Sequence, residues 1–260
     1  MNSISVRALL VRGMLAGLVA GALALLVAYF LGESRVDAAI ALEEAHSAHG
    51  HDHGAAEELV SRSMQSTAGL ATGVLVFGVA VGGIAALVFC YALGRMGRFG
   101  PRATAALIAG AALLSVYIVP FLKYPANPPA VGNPDTIGKR TALFFLMVAL
   151  SVLLAVAAVI IGKRLAPRLG NWNATVAAAA GYLLVIALAY VFLPSINEVG
   201  ADFPATLLWQ FRLATLAVQV TLWTTFGLLF GHLTERLLVP RAAAVTGANG
   251  RADRAATVVG

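Results

Sequence analysis

The stretch TALFFLMVALSVLLAVAAVIIG (Thr141–Gly162) runs for 22 residues without an Asp, Glu, Lys or Arg. About 20 apolar residues at 1.5 Å rise cross a hydrocarbon core of roughly 30 Å. This stretch is therefore the length of one membrane crossing. A short basic link, KRLAPR (Lys163–Arg168), follows it, and then a second charge-free run, Leu169–Asn197. Four further runs have the same character: Gly13–Gly32, Ser63–Gly94, Ala103–Leu122 and Leu213–Thr234. Each is long enough for one helix and none for two. Backbone polar groups in lipid must pair within their own segment. The expectation is an all-α, polytopic helix bundle with six transmembrane helices.

Composition agrees. The chain has 60% hydrophobic and 12% charged residues, against about 25% charged in soluble domains. Mean hydropathy is +0.85. The net charge of +6 reflects loop asymmetry, so nucleic acid is not an expected partner. Cys90 is the only cysteine and lies inside an apolar run. It reads as a small buried hydrophobe without a disulfide. Arg7 and Arg12 precede a first run longer than a signal peptide's apolar core, which reads as an uncleaved anchor. Residues 1–240 form the expected transmembrane domain, with a His-rich outer loop at 33–62. Residues 241–260 are rich in Ala, Gly and Arg and read as a disordered cytoplasmic tail.

Basic residues set the orientation. The N-terminus, the second and fourth loops and the C-terminus hold 12 of the 18 Lys and Arg. The first, third and fifth loops hold five, and Arg212 sits in the last helix. The positive-inside rule then places both termini in the cytoplasm, in a bacterial inner or plasma membrane. Ten of the 12 acidic residues fall on the opposite, outer side, which attracts cations. Gly13, Gly17 and Gly21 in the first helix are spaced for close packing, as are Gly69, Gly73, Gly78 and Gly82 in the second.

Three segments carry chemistry. The first is HSAHGHDHG, with His46, His49, His51 and His53 within eight residues. Imidazoles at this density, on a glycine-flanked loop, suit Zn, Ni, Cu or Co, with Asp52 adding an oxygen or orienting a ring. The bland alternative is a polar loop that happens to be His-rich. The second is the third loop, KYPANPPAVGNPD (Lys123–Asp135), stiffened by proline and carrying Asn127 and Asn133. By its chemistry it reads as a tight connector, with Asp135 or Thr136 capping the next helix. The third is LPSINEVGADFPATLLWQFR (Leu193–Arg212). Arg212 lies about 12 Å along a helix past Pro204. It needs Glu198 or Asp202 as partner, or it snorkels to the outer interface. Arg212, Thr215 and Gln219 share one face, making the last helix the most polar and a candidate pathway lining. His232 reads as an interfacial residue. No nucleophile elbow, P-loop or HExxH pattern occurs, so an enzyme is not expected.

The YPANPPAVG segment (Tyr124–Gly132) and the FPATLLWQFRLATLA segment (Phe203–Ala217), on this polytopic frame, resemble the CbtA family of cobalt transporter subunits. The resemblance covers roughly residues 5–240. It implies cobalt uptake linked to cobalamin synthesis, often alongside CbtB, a one-helix protein with a His motif. The His cluster in this chain's own first loop departs from that pattern and leaves the partner open. The resemblance raises the third and fifth loops to site elements, with Asn127, Asn133, Glu198, Asp202, Gln210 and Arg212 as pathway candidates. The expected function is a membrane transporter subunit for a divalent transition metal, Co²⁺ first and Ni²⁺ or Zn²⁺ next. It has no other cofactor, and its partners are the ion, membrane lipid and a CbtB-like protein or further copies of itself. Rival readings are a metal sensor or scaffold that moves nothing, and an exporter.

Overall fold

The computed structural model describes residues 3–47, 64–97, 99–129, 131–132 and 134–258. Side chains are described except at 3–5, 46–47, 134 and 239–258. The described residues are helical or irregular, with no strand. The helices are α1 (Ser3–Val27), α2 (Ser34–Ser47), α3 (Leu70–Ala92), α4 (Pro101–Ala112), α5 (Val119–Lys123), α6 (Pro134–Phe192) and α7 (Ala205–Val258). π-helical turns at Ala28–Glu33, Gln65–Gly69 and Leu113–Ile118 lead into α2, α3 and α5.

Five stretches are long and apolar enough to cross a membrane: Val6–Ala45, Gln65–Ala92, Pro101–Lys123, Asp135–Phe192 and Ala205–Leu238. The fourth is 58 residues long, which as a straight rod would span about 87 Å. It is bent instead. Gly170 has φ 74° and ψ 161°, a conformation that glycine adopts without a Cβ clash, and Pro167 precedes it. Ser151 and Tyr182, 31 residues apart, share a hydrogen bond of 2.7 Å across the two arms. The arms are thus antiparallel and α6 is a hairpin.

The first stretch departs from expectation in its length. Helix continues through the π turn into α2 as far as Ser47, so the front of the expected 33–62 loop is helical. At the other end, α7 continues past the apolar span to Val258, over the stretch whose composition reads as disordered.

Packing divides the spans into two bodies. In the first, α1, α3, α4 and α7 share a core that includes Leu9, Ala86, Phe89, Ile108, Phe226 and Phe230. The Phe89 and Phe230 rings meet edge to face at 5.1 Å, a favoured aromatic geometry. Small residues let the backbones close. A Cβ at Gly78 would lie 2.5 Å from Gly17 O, and one at Gly13 would lie 2.6 Å from Gly82 O. The glycine faces spaced for close packing thus meet each other, through Gly13, Gly17, Gly21, Gly78 and Gly82. Gly69 and Gly73 take no part in the contact, and a Cβ at Gly73 would meet nothing within 4 Å. The second body is the α6 hairpin, which with α5 and Tyr124 encloses Val119, Met147, Tyr182 and Ile186. Large apolar side chains such as Phe145, Leu153 and Val191 face outward, as a lipid-exposed surface requires.

The antiparallel order collects residues 93–97, the α6 bend and residues 232–236 at one end. Lys163 Nζ donates to Arg95 O there, and Arg102 pairs with Glu235 and meets His232 Nδ1 at 3.2 Å. His232 is thus held against the start of α4. The described residues of the third loop (123–129 and 131–132) and the fifth loop (193–204) lie together at the opposite end.

Candidate functional site

Prolines at 125, 128 and 129 lack an N–H and stop α5 from continuing, so the chain leaves the helix as an irregular loop in which Val131 N donates to Pro128 O at 3.3 Å. It is anchored at its start. Tyr124 is 3% exposed and its hydroxyl donates to Pro194 O at 2.9 Å. Burial pushes that hydroxyl's pKa above its ordinary value. Lys123 Nζ donates to Tyr190 O at 2.8 Å and to Ser195 Oγ at 3.2 Å, and Tyr190 donates to Val119 O. These bonds tie the third loop to the end of α6 and to the fifth loop.

Two arginines complete the knot. Arg140, near the start of α6, donates to Glu198 Oε2 at 3.0 Å and to Pro125 O at 2.9 Å. Thr136 donates to Glu198 Oε1 at 2.6 Å. The Glu198 side chain is 2% exposed, so both carboxylate oxygens are committed within the protein. Arg212, two turns into α7, donates from Nε to Ala126 O at 3.2 Å and from a terminal nitrogen to Asn127 Oδ1 at 3.1 Å. Thr215 donates back to Arg212 O at 2.9 Å.

The pairing differs from the expectation that Arg212 takes Glu198 or Asp202. Thr136 and Arg140, on the first turns of α6, reach Glu198 instead. Arg212 finds neutral acceptors in the third loop, which satisfy a guanidinium at this depth without a carboxylate. Arg140 lies close enough to Arg212 for the two charges to repel. Arg140, Arg212 and Glu198, the bonded charges of the knot, comprise two guanidinium groups and one carboxylate.

Of the expected site residues, Asn127, Glu198 and Arg212 come together. Asp202 and Gln210 are exposed and Gln219 is half-buried two turns beyond Arg212; no hydrogen bond joins them to the knot among the described residues. Asn133, His49, His51, Asp52 and His53 lie outside the described residues. His46 falls in the last turn of α2 with its side chain outside them. Among the described residues no three His, Cys, Asp or Glu side chains gather as a metal site.

The two sequence segments that set this chain apart, Tyr124–Gly132 and Phe203–Ala217, thus meet through Arg212. A family model described as "Probable cobalt transporter subunit (CbtA)" matches residues 6–235. The chain belongs to the CbtA family. No curated protein and no solved structure matches it. In this CbtA-family chain, sequence reasoning took Thr136 only as a helix cap and passed over Lys123, Tyr124, Arg140 and Tyr190 as site residues. Arg140 carried a signal: it is a charge at the edge of an apolar run on the sparsely basic side, and a charge there calls for a partner.

Proposed function

We propose that this chain is the membrane-embedded subunit of an uptake system for a divalent transition metal, Co²⁺ first. The observation that carries the reading is the junction of the two family-bearing segments through Arg212, Ala126 and Asn127. In this reading each arm of α6 crosses the membrane separately, which gives six crossings with both termini cytoplasmic. The charge partition of the loops supports that orientation. The third and fifth loops then face outward, as does the first.

His46, His49, His51 and His53, with Asp52, gather the ion from outside. Neutral imidazole is the binding form, so capture weakens as pH falls through about 6.5. The Arg140–Glu198–Thr136 knot, with Arg212 on Asn127, is the closed outer gate. Glu198 offers oxygens to a partly hydrated ion only when it leaves Arg140. Asp202, Asn133, Gln210 and Gln219 flank that entrance. The chain acts as a subunit, and a CbtB-like one-helix protein or a second copy completes the assembly. The cargo is a substrate, and no catalytic group is assigned.

The test is uptake of labelled cobalt by a variant with all four histidines changed to Ala. Uptake should fall at low external metal and recover at high metal. Unchanged uptake at low metal removes the collector from the account.

A further inference from the structure

The two bodies touch along only part of their length. The α6 hairpin meets the other helices chiefly along α5 and the π-helical turn Leu113–Ile118. Below that turn α4 and the hairpin part, leaving a cavity of about 760 Å³. Its lining comes from the end of α4 and the π turn, from both arms of α6 and from Met96, Gly97 and Phe99, and it includes Lys163, which bonds Arg95 O. It reaches inward to Ser115 and to Tyr182, whose hydroxyl is shared with Ser151. Ser115 is about 21 Å along the helix from Pro101, well inside a 30 Å hydrocarbon core.

Ser115 sits in the π turn, a local geometry frequent at functional sites, and its hydroxyl donates to Ala111 O at 2.7 Å. Tyr117, two residues on, turns its buried hydroxyl to another face of the helix, toward Thr215. Helix α7 supplies none of the cavity's walls.

The walls also bear on what passes. They contain no Asp, Glu, His or Cys, and Lys163 is the charged residue among them. Ser115, Asn171, Thr175 and Tyr182 supply neutral hydroxyl and amide groups, with no carboxylate, imidazole or thiolate to displace a divalent ion's own ligands. Six waters at about 30 Å³ each occupy about 180 Å³, so a hydrated ion fits with room to spare.

We propose that this cavity is the water-filled vestibule opposite the knot, and that the cargo traverses it with its hydration or chelating shell intact. The structure then holds the vestibule open while the knot closes the other end. Rocking of the α6 hairpin about the π turn exchanges the two. This rests on the transport reading above, and it moves the passage from the α7 face to the gap between α4 and α6.

Single cysteines test it in a Cys90→Ala background, in membranes open to reagent from both sides and without metal. Ala158→Cys and Thr175→Cys stand on the two facing arms, and Val156→Cys, half exposed on the outer surface, is the control. The probe is trimethylammonium-ethyl methanethiosulfonate, whose fixed charge keeps it out of hydrocarbon. It should modify both cavity positions at least about tenfold faster than the control. Modification of the cavity positions by lipid-soluble N-ethylmaleimide alone would mean that lipid fills the gap, and would overturn the proposal. Labelling is read without transport, so its failure leaves the uptake reading standing, and failed uptake leaves the labelling result standing.

Discussion

Replacing Glu198 with Ala probes the knot most sharply. The change removes the acceptor of both Arg140 and Thr136, at 3.0 and 2.6 Å. A fully buried ion left without its partner costs about 3–5 kcal/mol, whereas a surface pair contributes about 0–1. This pair lies between the limits. Glu198 is 2% exposed, but Arg140 is 23% exposed and keeps its bond to Pro125 O. The expected loss is about 2–3 kcal/mol. Changing both members to Met leaves no uncompensated charge and should return stability to within about 1 kcal/mol of the parent. Uptake should be lost in both variants, because the gate's oxygens are gone in each. Unfolding by sodium dodecyl sulfate titration in mixed micelles reads the stability, and cobalt accumulation reads the function. A single variant within about 0.5 kcal/mol of the parent, or a double variant less stable than the single, would refute the buried-pair reasoning.

Other residues give independent expectations. Gly78→Leu should abolish the monodisperse folded protein on size-exclusion chromatography, since its Cβ would sit 2.5 Å from Gly17 O, while Gly73→Leu should be tolerated in open space. Arg212→Lys keeps the charge but loses the fork that spans Ala126 O and Asn127 Oδ1, so uptake should fall at every metal concentration, with about 1–2 kcal/mol of stability lost. Tyr124→Phe removes the bond to Pro194 O and should cost about 0.5–1.5 kcal/mol. Because burial raises that hydroxyl's pKa, its stabilising effect is fully present below the unfolded value of about 10 and is lost as pH rises through the folded one. Unfolding of the parent and the Phe variant should therefore differ at about pH 8 and converge in strong alkali.

Much of the frame was legible because the bilayer makes one demand that a sequence states directly. Runs without charge translate into apolar helices, and the KRLAPRLG link (Lys163–Gly170) translates into the bend of α6. Glycines four apart marked the α1–α3 contact, but spacing alone does not select which of them meet a neighbour, and Gly69 and Gly73 do not. Pairing was less legible. Arg212 and Glu198 were recognised as charges needing partners, yet each takes a partner set by which element the fold brings nearest. For Glu198 that is Arg140, 58 residues away in sequence. Tyr117 and Ser115 gave no signal, because a hydroxyl in an apolar run is common and only its buried setting distinguishes it. The gap between α4 and α6 is made of alanines, glycines and other residues that any membrane helix contains, so no motif announces it.

The central claim is transport of a divalent transition metal, and the direct measurement is labelled Co²⁺ accumulation in cells lacking their own uptake systems. The full chain is expressed alone and beside a CbtB-like partner, with Ni²⁺ and Zn²⁺ as competitors. The account predicts chain-dependent accumulation that unlabelled Co²⁺ suppresses most strongly and that Arg212→Ala abolishes. Cells with the chain that accumulate no more cobalt than cells without it, in either condition, or that lose preloaded cobalt faster, would contradict it.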